Sequence, residues 1–261
     1  MAGATAGAIA RSVVAPIDRV KISLQTGAIT GNTHTSTWAT ACDLYKREGT
    51  RGFWKGNGVN CLRVAPHTAV QFSSYDIYKS NLTNNGNGIG ARLICGALAG
   101  ATAATITHPL DSLRIRLQTE SEISALRLVS KIAKNEGIRG FYRGYVPTLC
   151  SLTPFIAINF ATFDTLKSFT SNKEDTVTKN LILGASSGAV AQTLCFPLDT
   201  LRRRMQVGGQ HYSSMRHAVT EILSKEGVPG FYKGIGPNLA KIIPNNGIRF
   251  AVFGYMKSKE M

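Results

Sequence analysis

The chain has 261 residues, with 30 Lys and Arg against 15 Asp and Glu and a formal net charge of +15. Length alone allows one or two globular domains, and the charge selects anionic partners: nucleotide, anionic lipid or nucleic acid. The five cysteines (Cys42, Cys61, Cys95, Cys150, Cys195) contain no C-x-x-C pair and the five histidines no ligand spacing, so neither a disulfide framework nor a zinc site is signalled, and the sequence has no Walker loop.

In chain order, Ala2 to Gln25 reads as a helix with small residues at Gly3 and Gly7 for close helix approach and a kink at Pro16. It is expected to be a few residues short of its later counterparts, and no cleavable signal is expected in Met1-Ala-Gly-Ala-Thr. Thr26 to Ser36 is a polar loop. Thr37 to Glu48 spaces Trp38, Ala41, Leu44 and Tyr45 as a short interfacial helix, ended by Gly49. A second long helix spans Asn57 to about Leu82 with Pro66 inside.

The same order returns twice. Long helices are predicted near Ile89–Gln118, Tyr145–Ser168, Lys179–Gln206 and Ile235–Lys257, with short ones at Ile123–Glu136 and Met215–Glu226. Asn84 to Gly88 and Ser171 to Asp175 are joints. Mean hydropathy is −0.02, yet the apolar segments are long, rich in Gly and Ala, and interrupted at recurring positions. That pattern fits helices lining a wet cavity.

The recurrence is exact enough to define an internal repeat. Pro16-x-Asp18-x-x-Lys21 followed by Gln25, Pro109-x-Asp111-x-x-Arg114 followed by Gln118, and Pro197-x-Asp199-x-x-Arg202 followed by Gln206 lie 93 and 88 residues apart. Glu48-Gly-x-x-Gly-Phe-Trp-Lys-Gly56 matches Glu136-Gly-x-x-Gly-Phe-Tyr-Arg-Gly144 and Glu226-Gly-x-x-Gly-Phe-Tyr-Lys-Gly234. Later come Tyr75-Asp76-x-x-Lys79, Phe163-Asp164-x-x-Lys167 and Phe253-Gly254-x-x-Lys257, the last without its acid. An acid and a base three apart share one helix face, and in a membrane such charges are costly unless paired or wet.

Three motifs in three copies resemble those of the mitochondrial carrier family, over essentially the whole chain. The resemblance implies an all-α membrane protein: three tandem repeats (1–84, 85–173 and 174–261) form a six-transmembrane-helix barrel with short interfacial helices and a central site open alternately to either side. It implies no enzyme, no cofactor beyond magnesium arriving with the substrate, and a monomer. It also implies a matrix ring of Asp18 with Arg114, Asp111 with Arg202 and Asp199 with Lys21, braced by Gln25, Gln118 and Gln206. An outer ring would pair Asp76 with Lys167 and Asp164 with Lys257, leaving Lys79 opposite Gly254. The outer ring is therefore expected to close less firmly, and Gly254→Asp to strengthen it. Gly56, Gly144 and Gly234 fall at steps similar to those that hold cardiolipin, where helix N-termini face the membrane surface. An aromatic belt with snorkelling bases is the plainer reading of the same steps.

Within the resemblance, Arg63, Ser151 with Leu152, and Lys241 occupy the central contact positions. Arg11 matches a base of nucleotide-type members, and Arg249 lies two turns beyond Lys241. The bases imply a phosphorylated anion and the Ser151-Leu152 corner a flat base, although Ser in place of Gly narrows that corner. The expected function is antiport of phosphorylated adenine nucleotides, with coenzyme A or phosphoadenosine phosphosulfate as the alternative cargo. The expected location is the mitochondrial inner membrane, with a plastid envelope or thylakoid membrane as the alternative. A soluble basic helical repeat binding nucleic acid would explain charge and period. It would not explain prolines inside Gly- and Ala-rich helices, and nucleic acid is not the expected partner.

Overall fold

A computed structural model describes residues 2–27, 36–82, 89–120, 124–169, 177–207 and 212–241, and among them every regular element is helical. In order these are α1 (Ala2–Thr26), α2 (Thr37–Glu48), α3 (Asn57–Leu82), α4 (Ile89–Thr119), α5 (Ala125–Asn135), the single turn α6 (Gly137–Phe141), α7 (Tyr145–Phe169), α8 (Val177–Gln206), α9 (Met215–Glu226) and α10 (Ile235–Ala240). Tight 3-10 turns occupy Thr50–Trp54 and Val228–Tyr232, where the second repeat has α6. The helix expected from Ile123 starts at Ala125, behind Ser124 in an extended N-cap conformation. The last long helix is described only as far as Ala240, so Arg249, Gly254 and Lys257 lie outside the described residues.

The internal prolines Pro16, Pro109 and Pro197 divide α1, α4 and α8 into unlike halves. Before the proline, large apolar side chains point outward: Ile9, Ile94, Ile106, Ile182 and Leu194 are all exposed. After it the helix is packed, and every residue from Asp111 to Gln118 is buried. The short helices cover this second half. Leu44 of α2 packs on Val20 and Leu24, Leu128 and Ile132 of α5 on Leu113 and Leu117, and Ile222 of α9 on Leu201. Leu44, Leu128 and Ile222 are at most 1% exposed, each contributing roughly 1.5–3 kcal/mol by burial. Ile22, Ile115 and Val207 form one further cluster, so the ends of α1, α4 and α8 converge on a common axis.

Two helical stretches, Gly90–Thr119 and Gly137–Phe169, are long and apolar enough to cross a membrane. Charged residues set the other long helices apart. α1 holds Arg11, Asp18, Arg19 and Lys21, and α8 holds Asp199 and Arg202 to Arg204. Such groups are tolerated at membrane depth where they face a bundle interior or water.

Glycine spacing sets how the repeats meet. A Cβ on Gly52, Gly140 or Gly230 would fall 2.4, 2.6 or 2.7 Å from the Cβ of Glu48, Glu136 or Glu226, so the second glycine of the E-G-x-x-G run makes room for the glutamate folded over it. Gly56, Gly144 and Gly234 hold φ of +76°, +75° and +85°, a region costly for other residues. Each abuts the next repeat. A Cβ would meet the Arg114 carbonyl oxygen at 3.2 Å, the Arg202 carbonyl oxygen at 2.9 Å and the Lys21 carbonyl oxygen at 3.1 Å respectively.

Candidate functional site

Because an aspartate and a base three residues on share a face, convergence of α1, α4 and α8 presents three acids and three bases to one another. Lys21 Nζ lies 2.6 Å from Asp199 Oδ2, Arg114 Nη2 lies 3.1 Å from Asp18 Oδ2, and Arg202 pairs with Asp111. Gln25 Nε2 donates to Asp199 Oδ2 at 3.4 Å and to Thr200 Oγ1 at 3.3 Å, and Gln206 Nε2 donates to Asp111 Oδ2 at 3.2 Å. Gln118 is buried beside Gly56, with its Oε1 unpartnered among the described residues.

Each acid also faces a second base. Lys241 Nζ donates to Asp18 Oδ1 at 2.7 Å. Arg63 Nε stands 3.7 Å from Asp111 Oδ1. Arg203 spans the ring, with Nη1 3.7 Å from Asp111 Oδ2 and Nε 3.6 Å from Asp199 Oδ1. Arg63 and Lys241 therefore sit on the ring's acids rather than apart from them. Arg11 Nη1 donates to Asn60 Oδ1 at 3.0 Å and lies within electrostatic reach of Asp18 and Asp111. Ser151 Oγ turns back to the Thr148 carbonyl at 2.8 Å, and Leu152 is half-buried. Asp76, Lys79, Asp164 and Lys167, toward the C-terminal ends of α3 and α7, are all exposed.

A second tier ties each repeat to its E-G-x-x-G run. Arg19 Nη2 reaches both oxygens of Glu48 at 2.9 Å. Arg116 binds Glu136 at 2.7 and 2.8 Å, and Arg204 binds Glu226 at 2.5 and 2.8 Å. Arg116 and Arg204 lie five residues after their aspartates, whereas Arg19 lies one after Asp18, and Ser23 stands at the five-residue position. Arg116 Nε also donates to the Gln206 carbonyl at 3.2 Å and Arg204 Nε to the Gln25 carbonyl at 2.8 Å. Ser23 is too short for the corresponding reach. Between the first and second repeats, Lys55 Nζ donates instead to the Glu120 carbonyl at 2.6 Å.

The arginine run Arg202 to Arg204 stands out in the sequence, but sequence reasoning gave Arg203 no place in the site and missed this second tier. The recurring Glu48, Glu136 and Glu226, half-buried in the structure, were the available signal, since an acid withdrawn from water needs a cation. Burial raises the pKa of the Glu226 carboxyl, but hydrogen bonds from Arg204 and Lys233 outweigh it and leave the group below its ordinary value.

Comparison with known proteins agrees with this architecture. The profile of the mitochondrial carrier protein family matches three times, over residues 1–86, 85–174 and 173–260. Similar relatives include the thylakoid ADP,ATP carrier protein, chloroplastic, of Arabidopsis thaliana, 40% identical over 98% of this chain and 64% of its own length. The probable envelope ADP,ATP carrier protein, chloroplastic, of the same plant is 37% identical over 98% of this chain and 70% of its own. The mitochondrial adenyl nucleotide antiporter of Homo sapiens is 36% identical over 98% of this chain and 57% of its own. The chain belongs to the mitochondrial carrier family, a family of membrane transporters rather than enzymes. It spans under two thirds of the length of the thylakoid and human relatives.

Proposed function

We propose that this protein exchanges phosphorylated adenine nucleotides across a membrane by alternating access, through a barrel of six spanning helices. The observation that carries the reading is the placement of Arg63 and Lys241 on the acids of the ion-pair ring, with Arg11 close by. An incoming polyphosphate competes with Asp111 and Asp18 for those bases, so binding loosens the ring, and a ligand shifts a conformational equilibrium only through such differential contacts. The names of the plant and mammalian relatives, each a carrier of adenine nucleotides, support the cargo.

In this reading Asp18, Asp111, Asp199 and their bases form the matrix-side closure, here paired. Asp76, Lys79, Asp164, Lys167 and Lys257 belong to the outer closure, with Ser151, Leu152 and Arg249 completing the central site. Gly56, Gly144 and Gly234 open the helix N-termini proposed to hold cardiolipin. The proposed location is the mitochondrial inner membrane, with a plastid membrane as the alternative, since two relatives are named as chloroplastic.

The test is uptake of labelled ATP by liposomes preloaded with ADP, ATP, phosphate, coenzyme A, phosphoadenosine phosphosulfate or nothing. Uptake that requires internal adenylate and is lost in Arg63→Ala and Lys241→Ala supports the reading. Exchange confined to coenzyme A or phosphoadenosine phosphosulfate moves the cargo to the alternative.

A further inference from the structure

Two polar rungs join α3 to α4 beside the ring. Arg63 reaches Asp111 at 3.7 Å, and one turn further from the ring His67 Nδ1 lies 3.0 Å from Thr107 Oγ1. Arg63 and His67 stand four residues apart on α3, as do Thr107 and Asp111 on α4, so each pair shares a helix face. That face of α3 points inward, because Leu62 and Phe72, both 66% exposed, project from its other side. The imidazole is half-buried, with Arg63 and Arg11 within electrostatic reach.

The first rung pairs opposite charges, whereas the second selects a tautomer. Thr107 is 2% exposed and donates its single hydroxyl proton to the Ala103 carbonyl, 2.7 Å away. Toward His67 its oxygen can then only accept, so Nδ1 carries the imidazole proton. The Ala103 carbonyl, also in reach of the ring, is likewise an acceptor. In the neutral ring Nε2 is therefore a lone pair. Around it the site is built of donors. Arg11, Arg63, Arg114 and Lys241 have no acceptor atom, Asp18 and Asp111 are already engaged by these bases, and Asn60 Oδ1 is held by Arg11. His67 brings to this cationic cluster what phosphate contacts do not need: an acceptor for a donor on the substrate.

We infer that His67 is a base-reading residue of the substrate site, its Nε2 accepting a hydrogen bond from the exocyclic amine of the nucleobase, and that Thr107 is the positioning residue that holds the imidazole in the accepting tautomer. The inference rests on the adenine-nucleotide reading above. Adenine offers an N6 amine where guanine and hypoxanthine offer the O6 oxygen. The amine completes the contact; the carbonyl sets one lone pair against another and leaves a desolvated acceptor without its bond.

The experiment measures competition by unlabelled ATP or inosine triphosphate against exchange of labelled ATP in proteoliposomes, together with the thermal shift each nucleotide gives the purified protein. Inosine triphosphate keeps the ribose and phosphates and carries a carbonyl oxygen in place of the amine. Wild type, His67→Leu, Thr107→Val and Thr107→Ser are compared at about pH 7.5, above the ordinary histidine value. The expected result is a preference for ATP of at least about tenfold in wild type, narrowed to within about threefold in His67→Leu. Thr107→Val, which frees the ring to present a donor instead, narrows the ratio as well, and Thr107→Ser, which keeps the accepting oxygen, restores it. A ratio unchanged in His67→Leu overturns the inference, and one unchanged in Thr107→Val overturns the role of Thr107. Should His67→Leu not fold, Thr107→Val and Thr107→Ser give the same readout. Equal competition by the two nucleotides in wild type overturns the inference while leaving nucleotide exchange standing. No response to either by folded wild type discards the adenine-nucleotide reading as well.

Discussion

Lys241 Nζ and Arg114 Nη2 hold opposite oxygens of one carboxylate, Asp18 Oδ1 at 2.7 Å and Asp18 Oδ2 at 3.1 Å. Lys241 comes from the third repeat and Arg114 from the second, so a single acid of the first repeat joins all three. Charge-assisted hydrogen bonds of this kind contribute about 1.5–3 kcal/mol. Lys241→Met is expected to loosen the ring yet lower exchange at least about tenfold, because the base that leaves Asp18 is the one the substrate would take. Accessibility labelling of single cysteines on either side of the membrane reads the first effect, and proteoliposome uptake the second.

The close approach at Gly144 gives a sharper steric expectation. Its φ is +75° and an added Cβ would lie 2.9 Å from both the Arg202 carbonyl oxygen and Gln206 Cγ. Gly144→Ala is expected to cost about 1–3 kcal/mol and to lower the melting temperature in detergent. Gly58→Ala, with nothing within 4 Å, serves as the control and should leave it nearly unchanged.

Much of this arrangement is legible in sequence. The spans of α2, α3 and α9 follow from apolar spacing and terminal glycines, and the repeat announces three copies of every contact. The residues alone say that Asp18 and Lys21 share a face, while their cross-repeat partners came from the family resemblance. Lys241 on Asp18 and Arg63 on Asp111 were illegible, because they depend on how far the even helices lean inward. Arg19 was hidden for another reason. It performs in the first repeat what Arg116 and Arg204 perform from a position one turn later, so a search for strict register finds Ser23 and stops.

The second tier predicts large effects from conservative changes. Arg116 is 1% exposed and Glu136 accepts two of its hydrogen bonds. Glu136→Gln strands much of that buried charge and is expected to cost about 3–5 kcal/mol. Exposed Lys131→Gln, which breaks only the surface pair with Glu120, should cost under about 1 kcal/mol. Urea or thermal unfolding in detergent separates the two.

Glu226 supplies a pH test. Its pKa is lowered in the folded protein, so its stabilisation is complete above the unfolded value of about 4.3 and is lost as pH falls through the lower folded value. Wild type should therefore lose melting temperature over that acid range more steeply than Glu226→Gln, which starts lower at neutral pH. Parallel curves for the two proteins would remove this carboxylate from the acid response.

The passage from the third repeat back to the first is crossed by no peptide bond, yet Lys21 with Asp199, Lys241 with Asp18, Arg204 with the Gln25 carbonyl and Gly234 against Lys21 all cross it. Mechanically these contacts do the work of a missing linker, turning a linear polymer into a closed hoop. The covalent break can then sit at any of the three boundaries. Joining the third repeat to the first by a flexible tether and cutting instead between residues 84 and 88 should yield a protein with the same exchange activity, assembled from the same circle begun at a different point.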